Sequence, residues 1–218
     1  MGRGLPHALA SEMCVGLWRC PDETAPDPVF VERYGTSGQG VEHWLSVPMW
    51  SPRGRVIGVE YRRWDGEKGS QKFFLQDSRW LPVFTGLVPS TLNRIWNGAD
   101  VWLVEGLFDL AVAHAIPSKD VALACGGAKI TPNQLAFLRR FMSPRAQVHV
   151  CFDMDETGKK MAYGYVHPDT GKRVWGVCER LNHAGITSRV VQYRGGKDPG
   201  EIWESAGTRA LQRALSIQ

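Results

Sequence analysis

The chain contains no Gly-x-x-x-x-Gly-Lys-[Ser/Thr] sequence, no Cys-x-x-Cys pair, no long apolar run and no repeat, heptad or low-complexity tract. Each absence removes a class of protein. Without the phosphate loop the sequence holds no P-loop nucleotide motor. Its five cysteines, Cys14, Cys20, Cys125, Cys151 and Cys178, are odd in number and widely spread, which suits neither a disulfide framework nor a zinc ribbon. Cys125 and Cys151 fall inside apparent strands and read as buried thiols. A bilayer-spanning helix takes roughly 20 apolar residues, and the opening Met1-Gly2-Arg3-Gly4-Leu5-Pro6 lacks the apolar stretch of a signal peptide. The expectation is a cytoplasmic protein that makes no use of a membrane. No Ser or Cys stands beside a recognisable base, so covalent nucleophilic catalysis has no support. None of the six His falls in a metal-ligand or triad pattern, and His114 and His183 read as structural.

What is present points to a folded, mixed protein. With 218 residues, 43% of them hydrophobic, and nine Trp, the chain can bury a sizeable core. Net charge is +4, and its distribution says more than its sum: residues 53–94 hold eight Lys or Arg against four Asp or Glu. There Arg53, Arg55, Arg62, Arg63, Lys68, Lys72 and Arg79 interleave with Trp50, Tyr61, Trp64, Phe73, Phe74 and Trp80. Such a mixture suits phosphates together with stacked bases, and equally suits a sheet with arginines on one face and aromatics in the core.

The patterning divides the chain near residue 97. Before it, a short helix is expected around Leu9 to Leu17, then an irregular Pro-rich stretch from Pro21 to Pro28, then a β-meander with strands near 44–50, 55–63 and 71–76. The turn compositions Ser51-Pro52-Arg53-Gly54 and Trp64-Asp65-Gly66-Glu67-Lys68-Gly69 separate those strands. From about 98 onward strands and helices alternate: 101–105, 107–116, 121–125, 131–142, 147–153, 156–164, 173–184, 187–193 and 200–215. That rhythm is the signature of βαβ units and a parallel sheet. Thr131-Pro132-Asn133-Gln134 supplies an N-cap, a first-turn Pro and a capping-box Gln. Residues 164–172 interrupt the helical pattern with turn formers and read as a surface hairpin. The expected fold class is α/β, with residues 98–218 the parallel-sheet domain and residues 1–97 a smaller, mixed α+β basic subdomain.

Two acidic clusters carry the chemistry. Glu105-Gly106-Leu107-Phe108-Asp109 follows the apolar run Val101 to Val104, and Asp153-Met154-Asp155 follows Val148 to Phe152. Both runs read as strands buried on both faces. In a parallel α/β sheet the loops at the carboxyl ends of the strands line one crevice, so both clusters should open onto it. Crowded carboxylates repel, and a hard divalent cation relieves the conflict; Mg²⁺ suits such a set better than zinc does. Asp155 also fits as a helix cap and Glu105 as a simple strand end.

The order Glu105-Gly106-x-x-Asp109, then Gly126-Gly127, then Asp153-Met154-Asp155-Glu156-x-Gly158, then Lys197-Asp198-Pro199-Gly200-Glu201 resembles the Toprim domain of primases, topoisomerases and some nucleases, with wording nearest to DnaG-type primases of phage primase-helicases. Upstream, Val47-Pro48, Gly54 to Gly58, Arg62-Arg63, Lys72-Phe73-Phe74 and Phe84-x-Gly86-Leu87 are similar to the basic subdomain that precedes Toprim in bacterial primases. Thr85 stands where the family often has Lys, and Leu75-Gln76 where it often has Asn.

The resemblance implies a set of roles. Glu105, Asp109, Asp153, Asp155 and Asp198 would gather Mg²⁺ or Mn²⁺; Glu105, Asp153 and Asp155 would be catalytic, Glu105 by assisting deprotonation of the attacking 3′-hydroxyl. Arg62, Arg63 and Lys72 would meet DNA or nucleotide phosphates, and Gly106 and Gly127 would allow close backbone approach to phosphate. The implied activity is RNA primer synthesis on a single-stranded DNA template from ribonucleoside triphosphates. A replicative helicase or a separate zinc-binding chain is the implied partner, and a phage or mobile replicon the implied setting. Two alternatives stay open: a metal-dependent Toprim nuclease, and a non-catalytic DNA- or nucleotide-binding module. Lys129, Lys159 and Lys160 read as solvated helix charges, and Lys197 as a solvated loop charge.

Overall fold

A computed structural model describes residues 7–19, 43–63, 70–74 and 84–216. The Pro-rich stretch at 21–28, the turn at 64–69 and Leu75-Gln76 lie outside the described residues. Helix α1 (His7–Glu12) is shorter than the sequence suggests, because Cys14 takes a left-handed φ of 55° and turns the chain into strand β1 (Gly16–Arg19). β1 pairs antiparallel with β2 (His43–Trp50), β2 with β3 (Val56–Arg63), and β3 with β4 (Ser70–Phe74). The expected meander is therefore present, with one strand more at its start. Its first tight turn closes where Ser51 N–H donates to the Arg55 carbonyl at 2.8 Å and Gly54, at φ +71°, donates to the Ser51 carbonyl.

Helix α2 (Pro89–Trp96) has no counterpart among the sequence expectations, although Pro89 marks its first turn. Then come β5 (Val101–Val104), a 3-10 helix (Phe108–His114), β6 (Val121–Ala124), α3 (Pro132–Phe141) and β7 (Val148–Val150). They are followed by α4 (Glu156–Tyr163), the hairpin strands β8 (Gly164–Val166) and β9 (Arg173–Trp175), α5 (Val177–His183), β10 (Ser188–Val190) and α6 (Pro199–Ser216).

Three expectations need correction. The 107–116 helix is a 3-10 helix: the Asp109 carboxylate folds back onto Gly106 N–H at 2.9 Å, and Asp109 and Leu110 donate to carbonyls three residues earlier. Residues 173–175 belong to the hairpin and not to the next helix, which starts only after Gly176; a Cβ there would lie 2.2 Å from the Gly164 nitrogen. The last helix is broken at Gly207, whose φ of 74° is not helical. Cys151 is fully buried as anticipated, while Cys125 sits just past β6 and is only half-buried.

The second sheet runs β10-β7-β5-β6, every pair parallel. Alternation decides its two faces. Val101 and Leu103 of β5 join Leu123, Val148, Val150, Phe137 and Leu181 beneath α3 and α5, whereas Trp102 and Val104 join Leu107, Leu110, Ile202 and Leu211. Burying one such Leu or Val side chain contributes about 1.5–3 kcal/mol. Leu45 and Val47 of the meander pack into the second of these clusters, so the antiparallel sheet rests on that face. Thr85 fastens the junction: its backbone bridges Ala124 at the edge of the parallel sheet, and its hydroxyl donates to the buried Glu60 carboxylate at 3.1 Å. No described helix is long and apolar enough to cross a membrane.

Candidate metal centre

The strand order creates a crevice before any side chain is considered. From β5 the chain crosses to β6 on one side, and from β6 it returns to β7 on the other side of β5. The loops leaving β5 and β7 therefore part company, and open α/β sheets bind ligands at the carboxyl ends of strands at such a reversal. Glu105 directly follows β5, Asp153 stands just beyond β7, and Lys197-Asp198 lies on the segment between β10 and α6.

Backbone hydrogen bonds draw the three loops together. Asp153 N–H donates to Glu105 Oε1 at 3.0 Å, tying the β7 loop to the β5 loop. Met154 N–H donates to the Lys197 carbonyl at 2.8 Å, and the buried Tyr193 hydroxyl lies 3.0 Å from both the Lys197 and Phe152 carbonyls. Gly158 makes the approach possible, since a Cβ there would meet the Asp153 carbonyl at 2.2 Å and Glu105 Oε1 at 3.0 Å. As a result, carboxylate oxygens of Asp109, Asp153 and Asp198 all lie within 4.8 Å of one another. Asp155 and Asp198 also cap helices: Asp155 Oδ1 accepts from Gly158 N–H at 2.8 Å, and Asp198 Oδ1 from Glu201 N–H at 2.7 Å. The capping and the site-forming readings of these two residues are thus compatible.

The electrostatics are strained. Burial and the neighbouring Asp153 push Glu105 up to about 7, and burial with Asp198 pushes Asp109 up to about 7. Burial also raises Asp153, against the opposing pull of Lys197. Asp155 goes the other way, held below the usual carboxylate range chiefly by its bond from Gly158. Lys197 Nζ sits 3.1 Å from Asp153 Oδ2 and 3.3 Å from Asp155 Oδ2, and these contacts raise its own affinity for the proton. One ammonium against five carboxylates leaves a negative excess that a divalent cation would neutralise.

Residues 102–203 match the family described as Toprim-like. The chain is 27% identical over 172 residues to the DNA primase of Aquifex aeolicus (strain VF5), an alignment covering 78% of this chain and 31% of that one. Its fold is similar to that of the RNA polymerase domain of Mycobacterium tuberculosis primase DnaG, with a TM-score of 0.66 at 20% identity over 99% of this chain and 73% of that one. It is also similar to the primase fragment of the bacteriophage T7 primase-helicase protein, with a TM-score of 0.62 at 17% identity over 98% and 72%. Residues 102–203 thus carry a Toprim-like match, and the fold around them is that of DnaG-type primase catalytic domains. The chain spans less than a third of the curated relatives it matches.

Within this Toprim-like region, Asp109, Asp153 and Asp198 have the geometry to hold a divalent ion. Oxygen donors and crowded charge suit a hard cation. Glu105 borders them through Asp153 N–H, while Asp155 faces Lys197 instead. Gly106 spends its N–H on Asp109; Gly127, at φ +140° with nothing within 4 Å of a Cβ, donates to the Glu105 carbonyl at 2.9 Å and leaves its other side open. Arg62 of the meander lies over the Phe108 ring, 5.3 Å from its centroid, on the element that carries Asp109. Lys72 stands opposite Glu60 in the strand register, and Arg63 opposite Trp44. His114 stacks on Trp203, and His183 meets Trp175 edge-on.

Sequence reasoning missed two members of the site. Lys197, read as a solvated loop charge, does keep an exposed side chain but is also the ion partner of Asp153 and Asp155. Gly158 has a steric role that only its closeness to Asp153 exposes.

Proposed function

We propose that this chain is the polymerising core of a DNA primase, joining ribonucleotides into short primers on single-stranded DNA. The observation that carries the reading is the convergence of Asp109, Asp153 and Asp198 at the strand reversal, with Arg62 of the basic meander leaning onto the same element. The curated relatives are DNA primases, and the M. tuberculosis domain has also been solved with double-stranded DNA. In this reading residues 1–97 present the template and residues 98–218 carry the chemistry.

Asp109, Asp153 and Asp198, with Glu105 beside them, would hold Mg²⁺ or Mn²⁺, which supplies charge stabilisation for in-line displacement at a nucleotide α-phosphate. Glu105 assists removal of the proton from the attacking 3′-hydroxyl, a task for which a carboxylate at about 7 is well matched near neutral pH. Asp155 positions the β7 loop by capping α4. Arg62, Arg63 and Lys72 face template or nucleotide phosphates, and Gly106 and Gly127 keep the loop backbones thin where phosphate passes. A helicase or a zinc-binding chain supplies unwinding and start-site choice.

The test is incubation with mixed-sequence single-stranded DNA, labelled ribonucleoside triphosphates and Mg²⁺ or Mn²⁺, beside Asp153→Ala and Arg62→Ala. Labelled oligomers are expected from the wild type, none from Asp153→Ala, and fewer from Arg62→Ala with a shallower salt dependence, since one phosphate contact fewer releases fewer counterions. Metal-dependent cleavage of the template without nucleotides would replace this reading with a nuclease.

A further inference from the structure

The acidic residues divide into two unequal groups, and Lys197 draws the line. Asp155 has one oxygen committed to Gly158 N–H and the other 3.3 Å from Lys197 Nζ. A cation bridging Oδ2 of Asp153 and Oδ2 of Asp155 therefore competes for the position that the ammonium now holds. Asp153 also belongs to the other group, with Asp109 and Asp198, neither of which pairs with Lys197 among the described contacts.

The lysine is anchored at its backbone and held at its tip by the two aspartates alone among the described residues. Its carbonyl accepts from Met154 N–H and lies 3.0 Å from the Tyr193 hydroxyl, while its N–H donates to the Glu201 carboxylate. Its side chain is 53% exposed. The loop can hold still while the four-carbon stem swings the charge away, and a compact ammonium is well suited to a phosphate.

Resting on the metal-dependent reading above, we infer that Lys197 is the resident counter-cation of the Asp153 and Asp155 pair and excludes a second divalent ion from it. The ammonium leaves when the phosphates of an incoming nucleotide offer it a better anion, so the second ion enters together with nucleotide. Lys197 is then a positioning residue that makes full metal loading conditional on substrate.

Mn²⁺ binding to the whole chain, counted by electron paramagnetic resonance of the free ion, tests this without turnover. Wild type is expected to take up one ion tightly without nucleotide and a second only weakly until a non-hydrolysable nucleoside triphosphate is added. In Lys197→Gln the second ion should bind without nucleotide at an about tenfold lower concentration than in wild type, the scale expected from removing one partly solvated like charge. Lys197→Arg, which keeps the charge, should behave as wild type. Equal ion counts and affinities in wild type and Lys197→Gln overturn the inference, as does loss of all Mn²⁺ binding in a Lys197→Gln protein whose thermal unfolding is unchanged. Primer synthesis measured on the same preparations separates the two ideas: shifted ion counts without synthesis by the wild type sink the primase reading alone, and unshifted counts with synthesis sink this inference alone.

Discussion

The two ends of the parallel sheet treat charge in opposite ways. Toward the amino ends of the strands, Asp100 accepts from Gln147 N–H at 2.8 Å and lies 3.3 Å from His149 Nε2, while His149 Nδ1 accepts from Arg189 Nε at 2.9 Å. The ring stacks on Trp102 at 4.4 Å, and the Trp102 indole donates to Asp120, whose second oxygen has no hydrogen-bond partner. Burial holds His149 below the ordinary histidine range, so the ring is neutral at pH 7, with one nitrogen donating and the other accepting. At the carboxyl ends Lys197 pairs with Asp153 and Asp155, while Glu105 and Asp109 are pushed up to about 7. One end has most of its charges matched within the fold. The other relieves its crowding by holding protons near neutral pH or by taking up a cation, as the carboxylates of candidate functional sites do.

The largest way to break the contrast is Asp153→Ala. It removes a carboxylate from the metal group and the main partner of Lys197, and primer synthesis should fall by at least about 10³-fold, on the scale of losing a principal electrostatic group in an active site. Circular dichroism should still report a folded protein; retained synthesis would place the chemistry elsewhere.

Acidification acts at the same end. Glu105 and Asp109 have folded pKa values raised to about 7, so both must lose protons before a cation can bind well. Mn²⁺ affinity should fall as pH drops below about 7, by about tenfold per pH unit for each proton displaced. The sign for stability is the reverse. Between their ordinary range and 7 the folded state binds more protons than the unfolded one, so in EDTA these two groups withdraw stabilisation as pH rises through 7. Melting with and without Mn²⁺ at pH 5.5 and pH 8 reads both: the gain from metal should be large only at pH 8.

Gly158→Ala sharpens the comparison sterically. The new methyl has no room beside the Asp153 carbonyl, and the variant should lose about 1–3 kcal/mol in urea unfolding together with Mn²⁺ affinity. His149→Ala is the counterpart at the other end. It strands Asp100 and Arg189 and should cost about 1–3 kcal/mol while leaving Mn²⁺ affinity unchanged. A His149→Ala protein with weakened metal binding would show that the two ends are coupled.

Much of this was legible from local pattern. The buried runs at 101–104 and 148–150, the capping box at Thr131 and Gln134, and the hairpin ahead of α5 each rest on residues a few positions apart. The misses were of a different kind. Val15, Gly16 and Leu17 look compatible with a helix until a distant strand offers Ser46 and Leu45 as partners. Asp109 closes its turn as a 3-10 helix because its carboxylate bonds Gly106 instead of solvent. Lys197 carries no mark in its own neighbourhood of the two aspartates more than forty positions earlier.

The sequence by itself determined the fold class, the strand and helix alternation from 98 onward and which carboxylates stand at strand ends, because periodicity and capping are short-range properties of the chain. Only the tertiary structure decided that β7 lies on the far side of β5 from β6, that Asp109, Asp153 and Asp198 form the closest set among the five expected carboxylates, and that Lys197 stands between Asp153 and Asp155. Those facts depend on strand order and on loops closing over long separations, where the free energy is set by packing and charge among residues that local sequence does not bring together.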